Sequence, residues 1–297
     1  MERSNRLVKA SQLKERLMQA VFFLSACISI AAVGIICFFI FANGLPAIKK
    51  IGILQFLTGT LWRPGNDIYG ILPMIVGSLY VTVGALLFGV PIGLLTAVFM
   101  AMYCPKSIYR PLKSAVELLA GIPSVVYGFF GLVVLVPLVR NIGRSLGFGG
   151  NGSSILTASL LLGIMILPTI IGVSESALRA VPSHYFEGAQ ALGATKESAI
   201  FSVLIPAAKS GIVTSVVLGI GRAIGETMAV IMVVGNQARL TGNIFKGVRT
   251  LTANIVLEMG YATDLHREAL IGTGVVLFVF ILIINICVSL LKKGEHR

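Results

Sequence analysis

Apolar residues fall in long unbroken runs along the chain, and the polar positions gather in short segments between them. A helix needs roughly 20 apolar residues to cross about 30 Å of hydrocarbon, and inside a bilayer every backbone group must be bonded within the span. Six stretches meet that length: 17–42, 71–102, 112–139, 155–177, 212–235 and 269–291. The pattern predicts an all-α polytopic fold of six transmembrane helices, with a membrane domain over 17–291 and short flanking segments at 1–16 and 292–297. The first apolar run is too long for a cleaved signal peptide and reads as an uncleaved anchor.

One polar stretch, EGAQALGATKESAIFSVLIP at 187–206, carries a structure of its own inside the loop 178–208. Gly193 suits the left-handed end of one helix, and Thr195 can cap the next, with Ser198 at its third position. Tyr185, Phe186, Ala189 and Leu192 fall on one face of the first arm, and Ile200, Val203 and Leu204 on one face of the second. Pro206 is expected to stop the winding.

Basic residues orient the chain. With the N-terminus in the cytoplasm, the inside segments hold Arg3, Arg6, Lys9, Lys14 and Arg16, then Lys106, Arg110 and Lys113, then Arg179, Lys196 and Lys209, and finally Lys292, Lys293 and Arg297. The outside loops carry a smaller set, so the positive-inside rule puts both termini and the 187–206 island in the cytoplasm. The outer loop 236–268 is too long and apolar for a bare connector, and part of it reads as a re-entrant or interfacial helix. In the other outer loop Trp62 is expected as an interfacial aromatic anchor, and the GFGGNGSS run as a flexible turn.

Composition agrees: 56% of the 297 residues are hydrophobic and 12% charged. The formal charge of +12 is dispersed between apolar runs rather than forming one stripe, which argues against a nucleic-acid partner. Three of the four cysteines lie in apolar runs, and Cys104 closes another, so neither a disulfide framework nor a metal site is indicated. No Gly-Lys dipeptide occurs, which rules out the GxxxxGK[ST] phosphate loop; GxSxG and HExxH are also absent. An enzymatic or metal site of the chain's own is not expected, and energy from ATP, if used, would come from another subunit.

Candidate chemistry concentrates in GIGRAIGETM, where Arg222 and Glu226 stand four residues apart and are expected to share one helix face. Two readings stand: a salt bridge that fixes packing, or a station where Arg222 holds an anion and Glu226 replaces it when the path empties. Gly219, Gly221 and Gly225 permit close approach of another helix. Pro91, Pro123 and Pro168 lie well inside spans and are expected to kink them, as structural bends or as hinges. Ser124 and Tyr127 beside Pro123 add hydroxyls to a second candidate pathway wall. Glu117 with Lys113 reads as a structural i,i+4 pair, and Glu175 as solvated.

The island resembles the signature loop of ABC-importer permeases, EAA, three residues, Gly, nine residues, then I-x-L-P. Here Glu187, Gly188, Ala189, Gly193, Val203, Ile205 and Pro206 occupy those places, with Gly for the second residue, Val for Ile and Ile for Leu. IPSVVYGFFG, PTIIGVSESALRAVP and GRAIGETMAV are similar to the permeases of phosphate-specific importers, and GETMAVIMVVGN to their PstC-type subunits. The resemblance implies a type I importer fold in which the island is the cytoplasmic coupling-helix loop. It further implies a second, PstA-type permease, a homodimeric cytoplasmic ATPase and an extracytoplasmic phosphate-binding protein. Permeation of another oxyanion, such as sulfate or molybdate, and self-sufficient secondary transport remain the alternatives.

Overall fold

A computed structural model describes the backbone of residues 2–294 and the side chains of residues 14–287. The basic side chains expected inside at Arg3, Arg6, Lys9, Lys292, Lys293 and Arg297 lie outside the described residues. The chain begins with one long helix, α1 (Glu2–Ile51), so the expected 1–16 segment is continuous with the first span. A short helix, α2 (Ile53–Thr58), and a two-stranded ribbon, β1 (Trp62–Arg63) with β2 (Ile68–Tyr69), lead to α3 (Leu72–Val98), which a π-helical turn carries on to Tyr103.

The third predicted span divides. Helix α4 (Lys106–Gly121) has no buried residue, and the chain is extended at Ile122 before α5 (Ser124–Phe130) resumes, running through a π turn into α6 (Val136–Ser145). Pro123 is therefore the cap of a new helix and not a kink inside one. A residue before proline is pushed out of the helical region, and nothing buried holds α4 against that push. Pro91 and Pro168, by contrast, stay inside unbroken helices, α3 and α7 (Ile155–Arg179). Those two helices grip each other closely: a Cβ on Gly84 would clash with Ser159 Oγ, and one on Gly89 would sit 2.7 Å from Ile166.

The GFGGNGSS run divides: residues 147–151 are exposed, whereas Gly152 and Ser154 at its end are packed. Ser154 is fully buried and caps α7 by accepting from the Thr157 amide at 3.3 Å. Beyond α7 come the island helices α8 (Ser183–Ala191), α9 (Lys196–Ala199) and, after a π turn, α10 (Ile205–Ala207). The chain then bends by 69° into α11 (Lys209–Gly225). Pro206 thus sits in the last short turn before the bend. The fifth predicted span breaks at Glu226 and Thr227 before α12 (Met228–Val233), α13 (Leu251–Glu258) folds within the outer segment, and α14 (Asp264–Gly294) closes the chain. Among the described residues five helices are long and apolar enough to cross a membrane, or six with the bent pair that ends in α11.

Three apolar clusters organise these helices. The main one joins α3, α5, α7, α11 and α12 around Ala85, Leu161, Ile166, Ala223 and Val230. A second gathers α1, α2, the ribbon, the start of α3, α13 and α14 around Phe56, Tyr69, Met74 and Leu270. The third fastens the island, through Ile200 and Ala208, onto Val98 and Leu178 at the ends of α3 and α7.

Candidate functional site

Arg222 lies in the last turn of α11 and is partly exposed. Among the described residues its guanidinium has no hydrogen-bond or ion-pair partner. The expected shared face with Glu226 is not formed, because α11 ends at Gly225 and Glu226 is extended, with ψ 131°. Glu226 Oε1 instead accepts from the backbone amides of Thr227 at 3.1 Å and Ala229 at 3.3 Å. A carboxylate that bonds its own downstream amides competes with helix continuation, and this accounts for the break. The Thr252 hydroxyl fixes the turn by donating to the Glu226 carbonyl at 3.1 Å.

Tyr127 is 5% exposed, and its hydroxyl donates to the Leu119 carbonyl at 2.8 Å. The carbonyl that Pro123 leaves without its helical donor thereby gains one, and α4 is tied to α5. Tyr127 and Ala223, the residue after Arg222, pack in the same apolar cluster, which brings this hydroxyl's helix to the end of α11. Ser124 opens α5, and no bond between it and Arg222 exists among the described residues. Gly221 and Gly225 have no neighbouring atom within 4 Å of a built Cβ, and Leu218 and Met228 are about half exposed. Arg222 therefore stands beside an open face. Gly219 alone of the three glycines packs inward, against Ile170.

The island carries the turn its sequence predicts. Gly193 has φ +88°, its amide donates to Gln190 O at 2.9 Å, and the Ala194 amide to Ala189 O at 3.1 Å, a Schellman closure of α8. Thr195 caps α9 by accepting from the Ser198 amide at 3.2 Å. The two apolar faces diverge, however. Leu192 is 92% exposed and Tyr185 about half exposed, whereas Ile200 and Leu204 are buried against the helix bundle. Of the apolar faces named above, the first arm shows Tyr185 and Leu192 outward while Phe186 packs inward; Phe201 on the second arm is also exposed. Glu187 and Gly188 are exposed, Ala189 is half-buried, and Ile205 packs inward while Pro206 is exposed.

Residues 89–294 match the family of binding-protein-dependent transport system inner membrane components. The chain belongs to this family. The permease is 40% identical to a probable ABC transporter permease protein, YqgH, of Bacillus subtilis, over 95% of its own length and 94% of that protein's. It is 34% identical to the phosphate transport system permease protein PstC of Mesorhizobium japonicum over 98% and 94% of the two chains. A PstC protein of Haemophilus influenzae is 38% identical over 78% of each. The fold matches a chain of the inward-facing MetNI methionine ABC transporter at a TM-score of 0.61, covering 80% of the permease and all of that chain. It also matches a chain of a bacterial alginate ABC transporter at 0.60, covering 90% and 93%. It is thus a type I ABC-importer permease fold, and a multi-pass membrane protein.

Two charged centres of the permease were not foreseen. Glu175, expected to be solvated, is 2% exposed and accepts from the Tyr109 hydroxyl at 2.6 Å and Arg179 Nε at 2.7 Å. Lys113 lies 3.7 Å from its second oxygen, so this lysine serves Glu175 in place of the expected local pair with Glu117. The i,i+4 spacing of Glu175 and Arg179 was the signal available in the sequence.

The other centre is Glu258 at the end of α13. Its oxygens accept from Trp62 Nε1 at 2.8 Å and Arg249 Nη1 at 2.5 Å, and pair with His266 Nε2 at 2.9 Å. Trp62 is consequently 8% exposed and is a core residue rather than an interfacial anchor. Burial pushes the Glu258 carboxyl up, but the bonds from Trp62, His266 and Arg249 outweigh it and hold the group below its ordinary 4.5. A depressed carboxyl contributes stability that is complete above the unfolded value of 4.5 and is lost as pH falls through the folded value. Trp62 is the sole tryptophan, so its emission reports this centre. Acidification below pH 4.5 is expected to expose it and red-shift the emission. Glu258→Gln should remove that acid limb and, by leaving the Arg249 charge without its carboxylate, destabilise the outer segment by about 3 kcal/mol; an unchanged pH profile would show that Glu258 does not titrate with folding.

Proposed function

We propose that this chain is the pathway subunit of an ATP-driven importer of inorganic phosphate. The observation that carries this reading is an unpartnered guanidinium, Arg222, inside the bundle next to a helix break and an open face. A cation that faced lipid would cost at least about 2.5 kcal/mol, so it is retained for a polar path and calls for an anion. The relatives named as phosphate permeases support the choice of anion.

In this reading both termini face the cytoplasm, in the plasma (inner) membrane of a bacterium. A PstA-type permease covers the open face at Gly221 and Gly225, and an extracytoplasmic phosphate-binding protein docks on the outer segment 236–268. The exposed arm with Leu192 and Tyr185 seats in a groove of a homodimeric cytoplasmic ATPase, which holds the ATP and Mg. The phosphate passes Arg222, with Tyr127 and Ser124 on the facing helix. Glu226 has a changed role: its carboxylate holds the amides of α12, which leaves the arginine free for the substrate.

The test is labelled-phosphate uptake into proteoliposomes bearing the full set of subunits. ATP-dependent uptake that excess phosphate competes away, and sulfate and molybdate do not, is the expected result. Competition by sulfate or molybdate instead would reassign the anion. Flux through this chain alone, without ATP or partners, would make it a secondary transporter.

A further inference from the structure

The island and the bundle form one body at their junction. Ile200 and Ala208 pack with Val98 and Leu178, and Lys196 Nζ lies 4.3 Å from the centre of the Tyr103 ring at the end of the second span. Helices α3 and α7 therefore move with the island. Helix α4 is held more loosely, since it fully buries no residue and only Leu119, near its far end, packs on the main apolar cluster. At its near end the Glu175 cluster fastens it to the body: Tyr109 and Lys113 reach from α4 to Glu175 on α7, and the Arg179 guanidinium lies 4.6 Å from the centre of the Tyr109 ring. Arg179, the last residue of α7 before the island, also donates to Met100 O at 2.8 Å. At its far end α4 is tied to the third span by the Tyr127 to Leu119 bond, and α5 packs directly on α12, where a Cβ on Gly128 would sit 3.0 Å from Ala229 Cα.

We infer that the Glu175 cluster is the joint through which displacement of the island reaches α4, and through α4 the pathway helices α5 and α12. Tyr109 and Lys113 are positioning residues in this scheme, which rests on the proposed import function. The covalent route through α11 carries the island's motion to Arg222, and the joint carries the same motion to the wall that faces it. A buried carboxylate with two donors and a nearby lysine suits the task. Its partners are costly to lose one at a time, so the contact moves as a unit.

The double variant Tyr109→Phe with Lys113→Met cuts both bonds from α4 and leaves Glu175 paired with Arg179 in α7. In the complete reconstituted complex, phosphate moved per ATP hydrolysed is expected to fall by about tenfold, a loss within the usual range of coupling energies. The ATPase rate and the yield of complex should not change. Lys113→Arg, which keeps a cation opposite Glu175, should retain the wild-type ratio. An unchanged ratio in the double variant, or uptake, hydrolysis and yield falling in parallel, would overturn the inference, the second outcome marking the cluster as packing alone. Absence of uptake by the wild-type complex in the same assay would instead overturn the proposed function.

Discussion

Arg222→Ala is expected to reduce ATP-driven phosphate uptake by about 10- to 100-fold, the factor that corresponds to losing one bond to a charged group at roughly 1.5–3 kcal/mol. Assembly should survive, and the structure supplies the reason. Removing one member of a buried ion pair normally strands the other, at a cost of several kcal/mol. Here Glu226 is satisfied by the amides of Thr227 and Ala229, so deleting the arginine leaves no orphaned carboxylate. Arg222→Lys keeps the charge without the planar fork and should recover part of the uptake. Glu226→Gln keeps an acceptor for both amides and should cost far less. Uptake and yield measured together in proteoliposomes check all three variants. Normal phosphate uptake by Arg222→Ala would leave the arginine as packing.

Gly193→Pro is expected to abolish stable association with the ATPase while leaving the outer segment untouched. The residue sits at φ +88°, and proline is fixed near −65°. Proline also removes the amide that donates to Gln190 O at 2.9 Å. Together these cost about 3 kcal/mol or more in local conformation, enough to swing the exposed arm bearing Leu192 out of its angle. A built Cβ at Gly193 meets nothing within 4 Å, so the effect is conformational and not a clash. Gly193→Asn, which tolerates the left-handed region, should keep the ATPase bound. Co-purification measures the interface, and Trp62 emission checks the outer segment. Wild-type retention of the ATPase by Gly193→Pro would remove the arm from the interface.

Gly193 was readable because its role is local: a glycine between two short amphipathic arms, followed by a threonine cap, specifies a left-handed turn from a few adjacent residues. The third span was misjudged for a related reason. Leu112, Val116 and Leu119 continue the apolar pattern up to Pro123, yet the helix they form fully buries no residue and ends at Gly121. Hydropathy does not distinguish a helix that is packed through a proline, such as α7, from one that is free to stop before it. Likewise Arg222 was identifiable as the charge deep in the fifth span, but its relation to Glu226 was not. Ideal helical spacing puts the pair on one face, whereas the glutamate's own bonds to downstream amides interrupt the helix between them.

The sequence by itself determined the first, second, fourth and sixth spans, the island's turn and the position of the cation, because a bilayer requires each helix to satisfy its own backbone and so writes length and apolarity into contiguous residues. The tertiary structure alone decided where the buried carboxylates find their partners. Trp62 and Glu258 are 196 positions apart, and Tyr109 and Glu175 66 apart. No local period encodes such pairs. They form because packed helices bring distant side chains together where water is scarce, and a buried carboxylate is stable there only when donors from other elements surround it.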